Sequence, residues 1–347
     1  MWRDVPPAWT GAEGPESDVA VSTRARLARN LSGVAFPGRA APEDLENVAE
    51  LARRASDRLR SRWPGLQTVD VAGVEEEDRA FLVDAHLASP QQVRPRRGGL
   101  VILEPGGRIA IMVNEEDHLR IQAILAGLQP VEAWRLVDEI DDELGRGLTF
   151  AYSKRLGYLT ANLSNLGTGL RISVMMHLGG LAMVGQLAST LRAATELGIS
   201  VRGLFGEGSE ALGDFFQVSN EVTLGIPERE LAERVRGVAL HLLGEERRAR
   251  QEIMSDRRAG LERAARQSLA RLRRAETVSA GEALALLSPI RLAGAAGAIN
   301  GCSAKDLNEL MVAMRVMCLQ DGSVYDLAHA DRRRAALVRR RLRAIKI

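Results

Sequence analysis

Hydrophobic and polar positions follow two different periods along the first part of the chain. Leucine, valine and alanine recur at helical spacing over 42–63 and again over 78–87, which predicts two helices. Short apolar runs over 100–103 and 109–113 flank a proline- and glycine-containing turn, which predicts a β-hairpin. The run over 119–128 has leucine and isoleucine at helical spacing, so a helix is predicted directly after the hairpin.

The last third of the chain changes to alanine, leucine, arginine and glutamate, which predicts four or more helices. Ser279 and Glu282 form a capping box at the start of one of them, and 307–319 forms another apolar helix. A chain of 347 residues is long enough for two domains. We therefore predict an α+β fold, with an antiparallel sheet flanked by helices over 1–226 and an all-helical domain over 227–347.

The most informative stretch is 114–122, where three adjacent carboxylates, a histidine and an arginine follow the apolar run 109–113. The strand predicted before it and the helix predicted after it place this cluster at a strand-to-helix junction. Catalytic groups concentrate on loops that a rigid scaffold holds, so the position suits chemistry. The alternative is a solvated acidic turn in which Asp117 caps the helix. Composition alone does not decide between them.

A strand-like run over 18–31 carries Arg24 and Arg26 two positions apart. Alternate residues of an extended segment share a face, so both arginines and Ser22 point the same way. Two neighbouring guanidinium groups repel each other unless an anion lies between them, and their planar shape suits phosphate oxygens. Two unrelated surface arginines are the alternative interpretation.

Two glycine-containing stretches follow later in the chain. In 157–176 a polar loop leads into a predicted helix that Arg171 opens, and the amides at a helix start favour anions. In 200–208 an apolar strand-like run ends in a glycine-rich turn that carries Arg202 and Glu207. The sequence contains no Walker loop, and a lone Gly-x-Gly is weak evidence for a nucleotide site.

Composition adds little about partners and more about location. Lysine and arginine total 47 against 45 for aspartate and glutamate, and a net charge of +2 does not indicate a direct nucleic-acid partner. Cys302 and Cys318 have no spacing typical of zinc or disulfide sites. No leader opens the chain, and no apolar run approaches the length of a membrane span. We therefore expect a cytoplasmic protein without a membrane partner.

Together, four stretches resemble the motifs of the phosphagen (guanidino) kinases in their order and spacing. They read Ser-Thr-Arg-Ala-Arg, Asn-Glu-Glu-Asp-His-Leu-Arg, Ser-Asn-Leu-Gly-Thr-Gly-Leu-Arg and Arg-Gly-x-x-Gly-Glu. Within that superfamily, the absence of a large helical domain before Ser22 and the long helical region at the other end resemble the bacterial protein-arginine kinases. The resemblance extends over nearly the whole chain.

The resemblance implies ATP-dependent phosphorylation of arginine residues in proteins, as a mark for a Clp-type protease in protein quality control and stress response. It implies ATP as cofactor, with Mg²⁺ held by nucleotide phosphates and water and no metal ligands from the protein. The implied partners are protein substrates with exposed arginines, a Clp-type chaperone or protease, an activator protein and a second copy in a homodimer. A small-molecule guanidino kinase is one alternative. A pseudokinase that binds nucleotide, phosphoarginine or a partner protein is the other.

The chemistry explains why the family needs these residue types. Moving a γ-phosphoryl group requires positioning and charge neutralisation. A guanidinium is a poor nucleophile until a carboxylate orients it and accepts a proton. By resemblance, Glu116 and Glu207 grip the guanidinium, and Glu116 is the better candidate for the base. The residues implied for the nucleotide are Ser22, Thr23, Arg24, Ala25, Arg26, His86, Arg120, Arg171, Ile172, Ser173, Val174, Met175, Arg202, Gly203, Leu204, Phe205, Gly206 and Glu207.

Two stretches depart from the family pattern. The reactive cysteine and the proline after it align with Asn162 and Leu163, so an amide replaces a thiolate beside the guanidinium. Either the enzyme works slowly with its two glutamates alone, or the chain is a nucleotide-binding or regulatory protein. The family's phosphoarginine pocket is built on Arg-Asp-x-x-Arg-Ala, which here becomes Ala330, Asp331, Arg332, Arg333, Arg334 and Ala335. Ala330 therefore removes one cation from the implied pocket.

Overall fold

The computed structural model describes residues 5–203, 212–316 and 327–345. Over these ranges the strands are β1 (Ala20–Arg29), β2 (Gln67–Asp70), β3 (Leu100–Leu103), β4 (Ile109–Val113), β5 (Leu119–Ala126), β6 (Tyr152–Ser153), β7 (Gly157–Tyr158), β8 (Leu170–His177), β9 (Ile199–Gly203) and β10 (Phe215–Asn220). Eight of them form one sheet in the order β2-β3-β4-β5-β1-β8-β10-β9, and each neighbouring pair is antiparallel. Strands β6 and β7 form a separate hairpin.

The helices that the described residues form are α1 (Pro42–Arg62), α2 (Glu76–Asp84), α3 (Pro130–Gly145), α4 (Gly179–Val184), α5 (Leu187–Glu196), α6 (Glu228–Asp256), α7 (Arg258–Arg274), α8 (Ala280–Ala295), α9 (Ala304–Val316) and α10 (Leu327–Arg341). Helices α1, α3 and α6 share a core with one face of the sheet. Helices α7 to α10 form the C-terminal helical region, and their core also includes Trp9 and the strand residues Val21, Ile124, Met175 and Phe215. The predicted α+β fold, with an antiparallel sheet and a helical C-terminal region, is confirmed.

The run over 119–128 forms strand β5, so the predicted helix there was wrong. Leu119 and Ile121 are fully buried, whereas the polar side chains of Arg120 and Gln122 alternate with them. This period of two fits a strand, and pairing with β4 on one side and β1 on the other satisfies the backbone. Asp117 therefore caps no helix, and the acidic cluster lies in the turn of a hairpin.

The helix predicted to begin at Arg171 was also wrong, because this stretch forms strand β8 between β1 and β10. Ile172 and Val174 are completely buried on one side of the sheet, while Arg171 and Ser173 point to the other. Anion binding by helix amides does not apply here. The arginine itself, rather than a helix terminus, carries the positive charge.

The remaining helix predictions agree with the structure. Helix α1 matches 42–63, and α2 ends at Asp84, two residues before His86. In the capping box the Glu282 amide donates to Ser279 Oγ at 3.2 Å. Helix α9 matches the start of 307–319, of which residues 317–319 lie outside the described residues. Helix α3 was not predicted.

Helix α6 belongs to the sheet core, since its apolar face, with Leu231, Val235 and Leu242, joins the cluster beneath the strands. The boundary at residue 226 stays a prediction. Over the residues described, no helix is long and apolar enough to cross a membrane.

Candidate active site

Five arginines project from one face of the sheet, and their register explains why. Arg24 and Arg26 lie on β1, with Arg26 directly opposite Arg171 of β8. Arg120 of β5 pairs with Ala28, two residues beyond Arg26, and so shares the same face. Arg202 of β9 is opposite Gln217, which is opposite Met175. Residues that pair directly point to the same side of a sheet, so distant parts of the chain form one cationic surface.

A cavity of about 250 Å³ opens on this surface. It is lined by Arg26, Leu27, Ala28, Glu116, Arg120, Asn162, Ser164, Asn165, Gly169, Arg171, Arg202, Gly203 and Gln217. The cavity thus brings four of the five arginines together with one carboxylate and the loop that departs from the family pattern.

The crowding of positive charge lowers the pKa values of the arginines themselves. Burial, and then repulsion from Arg120 and Arg171, lowers the pKa of Arg24 to about 10. The pKa of Arg26 is lowered by burial and by the same neighbouring arginines. Arg26 Nε is buried without a hydrogen-bond partner. Buried donors are normally satisfied, so this surface is suited to a polyanion that supplies acceptors and negative charge.

The first carboxylate of the hairpin turn, Glu115, is structural. Its side chain is only 4% exposed and accepts hydrogen bonds from Arg120 Nη1 at 2.8 Å, from Ser89 Oγ and from the Glu116 amide at 3.0 Å. Burial alone would raise the pKa of Glu115, but attraction to Arg120 and these hydrogen bonds hold it below its ordinary value. Glu115 therefore orients Arg120 on the sheet.

Asp117 and His118 are structural as well. Asp117 Oδ1 accepts from Asn30 Nδ2 and from the Ala161 amide, both at 2.6 Å, which ties the turn to the loop over 159–169. His118 Nδ1 accepts from the Leu31 amide at 3.0 Å, so the proton on Nε2 points to a backbone carbonyl. Burial lowers the pKa of His118 and keeps the ring neutral. Neither side chain is available for chemistry in the cavity.

Glu116 is the carboxylate that faces the cavity. Burial, and then the negative charges of Asp117 and Glu115, raise its pKa above the ordinary value, while a hydrogen bond from the Asn162 side chain lowers it. A carboxylate with a raised pKa is a better proton acceptor than an ordinary one. Of the three adjacent carboxylates, Glu116 alone combines position and basicity.

Asn162 sits at the start of a short 3₁₀ turn over Leu163–Asn165. Its Oδ1 accepts from the Ser164 amide at 3.0 Å and from Ser164 Oγ at 2.9 Å. With the oxygen occupied, the amide nitrogen is the group through which this side chain lowers the pKa of Glu116. The amide that stands in for the family's cysteine thus lines the same cavity as the candidate base and affects its pKa.

A second, smaller cavity of about 80 Å³ continues along the same face, lined by Trp9, Ser22, Arg24, His86, Ile124, Ser173, Met175 and Gln217. His86 has a left-handed backbone with φ of 61°, and Gln122 Nε2 donates to its carbonyl at 2.6 Å. Burial and the positive charges of Arg24 and Arg315 lower the pKa of His86 to about 3. His86 is therefore neutral, and Arg24 is the charged side chain among the residues that line this cavity.

The helical C-terminal region reaches this second cavity. Arg315 Nε of α9 lies 3.6 Å from Asp84 Oδ1 of α2, close to His86. Burial raises the pKa of Asp84 to about 6, although Arg315 opposes the shift. The sequence gives no signal that Trp9 lines this cavity or that Arg315 lies close to His86, because only tertiary packing brings them there.

The structure brings most of the predicted nucleotide residues together. Thr23, Ala25, Ile172 and Val174 instead have buried side chains on the opposite, core-facing side of the sheet, where Thr23 Oγ1 donates to the Gly127 carbonyl at 2.7 Å. Leu204, Phe205, Gly206 and Glu207 lie outside the described residues. The role of each residue stays a prediction.

The stretch suggested by the phosphoarginine motif lies on α10. Arg334 is 3% exposed and donates to Asp331 and, at 2.8 Å, to the carbonyl of Val278. Ala330 and Ala335 are buried. Arg333 instead lines a shallow surface cavity together with Arg339, Arg340 and Arg343. Arg334 therefore anchors α10 to the preceding helices.

Over the described residues, Cys302 is the single cysteine, and it lies in the helical region, outside both cavities. Burial raises the pKa of its thiol to about 11, so it is a weak nucleophile. Cys318 lies outside the described residues.

Comparisons with known proteins agree with this geometry. The family model of the ATP:guanido phosphotransferase C-terminal catalytic domain matches residues 47–249, and that of the protein-arginine kinase McsB C-terminal domain matches 258–346. A protein-arginine kinase from Pelotomaculum thermopropionicum is 42% identical over 336 residues, which cover 96% of this chain and 94% of that protein. Another from Symbiobacterium thermophilum is 40% identical over 340 residues, covering 97% and 96%.

Solved structures of guanidino kinases share the fold. The substrate-free duplicated taurocyamine kinase from Schistosoma mansoni matches with a TM-score of 0.59 and 26% identity, over 67% of this chain and 35% of that one. Lombricine kinase matches with a TM-score of 0.57 and 24% identity, over 71% and 69% of the two chains.

Proposed function

Because the chain belongs to the protein-arginine kinases of the ATP:guanido phosphotransferase family, we propose that it uses ATP to phosphorylate arginine side chains in proteins. The observation that carries the proposal is the meeting of the cationic sheet face and Glu116 in one cavity. Phosphoryl transfer to a guanidinium needs both parts: cations for the phosphates and a carboxylate for the acceptor.

The cationic face suits the triphosphate. The unsatisfied Arg26 Nε and the lowered pKa of Arg24 both indicate positive charge that no protein group compensates fully. Phosphate oxygens would supply that compensation. Among the described residues no group of three histidine, cysteine, aspartate or glutamate side chains could hold a metal ion. The resemblance implies that Mg²⁺ is held by the phosphates and water. The nucleotide base would occupy the second cavity near His86, where Trp9 and Ile124 offer apolar surface.

Glu116 suits the phosphoryl acceptor, which is the target guanidinium. Its carboxylate would orient the target guanidinium by hydrogen bonds and take one proton as a guanidinium nitrogen bonds to the γ-phosphorus. The bond from the γ-phosphorus to the β–γ bridging oxygen breaks, and ADP leaves with that electron pair. Glu207, which the resemblance pairs with Glu116, would provide a second carboxylate.

Protein substrates are proposed over small molecules because the relatives are named protein-arginine kinases and the helical region at 258–346 matches their C-terminal domain. We further propose cytoplasmic action, a homodimer, control by an activator protein and transfer of marked proteins to a Clp-type protease. Support for these four points is the resemblance alone.

Incubation with labelled ATP and either casein or free arginine tests the proposed function. We expect acid-labile phosphate on casein and little on free arginine, and arginine-selective modification of casein by phenylglyoxal should prevent it. Label on free arginine alone would favour a small-molecule guanidino kinase. Nucleotide binding without any transfer would favour the pseudokinase.

Asn162→Ala should shift the pH dependence of transfer. The variant loses the hydrogen bond that lowers the pKa of Glu116, so that pKa rises further. Because the base must be unprotonated, the rise of kcat/KM with pH should occur at higher pH in the variant. The plateau that kcat/KM reaches above this rise should change less. Asn165→Ala, in the same turn, is the matched control. An unmoved profile would show that Asn162 does not tune the base.

A further inference from the structure

Three large apolar side chains are exposed on two loops, one of which carries the cavity-lining residues Asn162 and Ser164. Leu163 is 80% exposed, Val222 is 50% exposed and Leu224 is 46% exposed. Single exposed apolar residues are common, whereas three on two loops that hydrogen-bond to each other next to a polar cavity are less so. We refer to these three residues as the apolar rim.

Hydrogen bonds hold the two loops of the rim together. Thr223 Oγ1 lies 3.0 Å from the Ser164 carbonyl and 2.7 Å from the Leu166 carbonyl. The Thr168 amide donates to the Thr223 carbonyl at 3.1 Å, and Asn220 Nδ2 donates to the Val222 carbonyl at 3.2 Å. The backbone is equally constrained, because a Cβ atom on Gly167 would lie 2.6 Å from the Thr223 carbonyl. The backbone of the two loops that carry the rim is therefore held in place.

The loop of Leu163 adjoins the candidate base, because Asn162 and Ser164 line the same cavity as Glu116. Leu163 lies between them in sequence but is directed to solvent. A polypeptide that places a guanidinium at Glu116 has residues on either side of the arginine that can reach this loop, whereas free arginine has none.

We propose that the apolar rim binds an apolar side chain next to the target arginine, so that the enzyme prefers arginines with leucine-like neighbours. The inference rests on the proposed function and names the substrate class more closely. The cavity is lined by arginines and would repel a second cationic residue beside the target, so charge disfavours lysine or arginine at the neighbouring position. Apolar neighbours of this kind are exposed in unfolded segments and buried in folded domains.

Two labelled peptides test the inference, one with leucine on both sides of a single arginine and one with serine there. The parent should show a KM about tenfold lower for the leucine peptide, as expected for partial burial of leucine side chains. Leu163→Ala combined with Leu224→Ala should remove that preference while leaving the KM for ATP unchanged. Leu240→Ala, an exposed leucine on α6 at 41% exposure, is the matched control and should keep it.

Peptide binding measured by fluorescence anisotropy separates this inference from the proposed function, because it needs no transfer. A leucine preference in binding that the rim variant loses supports the rim, even if no phosphate moves and the proposed function fails. Equal KM and equal affinity for the two peptides in the parent, or a preference that survives in the rim variant, would overturn the inference while transfer to arginine still stands.

Discussion

Glu116→Gln is expected to lower the rate of transfer to arginine by about 10² to 10⁴, the contribution typical of a positioned general base. Glutamine keeps the shape and a hydrogen-bond acceptor at this position but cannot take up the proton. Because Glu116 contacts the acceptor end of the cavity, nucleotide binding should be retained. Single-turnover transfer and equilibrium binding of ATP, measured on the same preparation, separate the two effects.

The neighbouring carboxylates provide internal controls. Glu115→Gln removes the charge that orients Arg120, so it should weaken nucleotide binding. Asp117→Ala removes the acceptor for Asn30 and for the loop backbone, so it should lower thermal stability. Three adjacent substitutions should therefore give three different phenotypes. The same loss of transfer in all three, with nucleotide binding intact, would mean that the cluster acts as a unit and that Glu116 is not a distinct base.

The parent's pH profile follows from the same assignment. The pKa of Glu116 is raised, so its unprotonated form is lost as the pH falls through a value above that of an ordinary glutamate. The kcat/KM for the protein substrate should therefore begin to fall at a higher pH than an ordinary glutamate would give. This fall in kcat/KM at low pH should be missing from the residual activity of Glu116→Gln.

The sequence predicts the cationic face from one strand only. Arg24 and Arg26 lie two residues apart, and this spacing correctly places them on one side of β1. The positions of Arg120 and Arg171 on that same side depend on strand pairing over more than 90 residues, which local periodicity does not contain. Strands β5 and β8 were predicted as helical because their apolar residues also fit a helical spacing. Pairing on both sides decides the outcome.

Composition and periodicity do not distinguish the three carboxylates of 115–117, and only the resemblance singles out Glu116. In the structure Glu115 pairs with Arg120 and Asp117 accepts from Asn30. The hairpin turn, with Asn114 in a left-handed conformation at φ of 59°, places Glu116 at the cavity. These contacts give a physical reason for the choice of Glu116, whose role as the base stays a prediction.

Arg120→Ala is expected to lower kcat/KM for ATP by about 10² to 10³, the cost typical of removing one preorganised group that stabilises transition-state charge. Arg120 Nη1 is held at 2.8 Å from Glu115, so its position is set before the nucleotide arrives. Arg120→Lys keeps the charge but loses the planar fork, so it should recover only part of the rate. Full activity in Arg120→Ala would exclude it from the phosphate site.

Loss of Arg120 also leaves Glu115 buried without its cation, and this can destabilise the fold apart from any effect on ATP. The double variant Arg120→Ala with Glu115→Gln removes the unpaired charge. It should regain thermal stability but not activity. If activity returns with stability, the single variant was failing to fold, and Arg120 has no direct part in phosphate binding.

Inorganic triphosphate provides a readout that requires neither a base nor an acceptor. Burial, and then repulsion from Arg120 and Arg171, lowers the pKa of Arg24 to about 10, so a bound polyanion should relieve that repulsion and raise the melting temperature of the parent. The double variant has one cation fewer on the face and should show a smaller rise at the same concentration. Leu240→Ala, an exposed position on α6, should respond like the parent. An equal rise in the double variant and the parent would place the polyanion away from Arg120 and would break the link between the cationic face and the nucleotide.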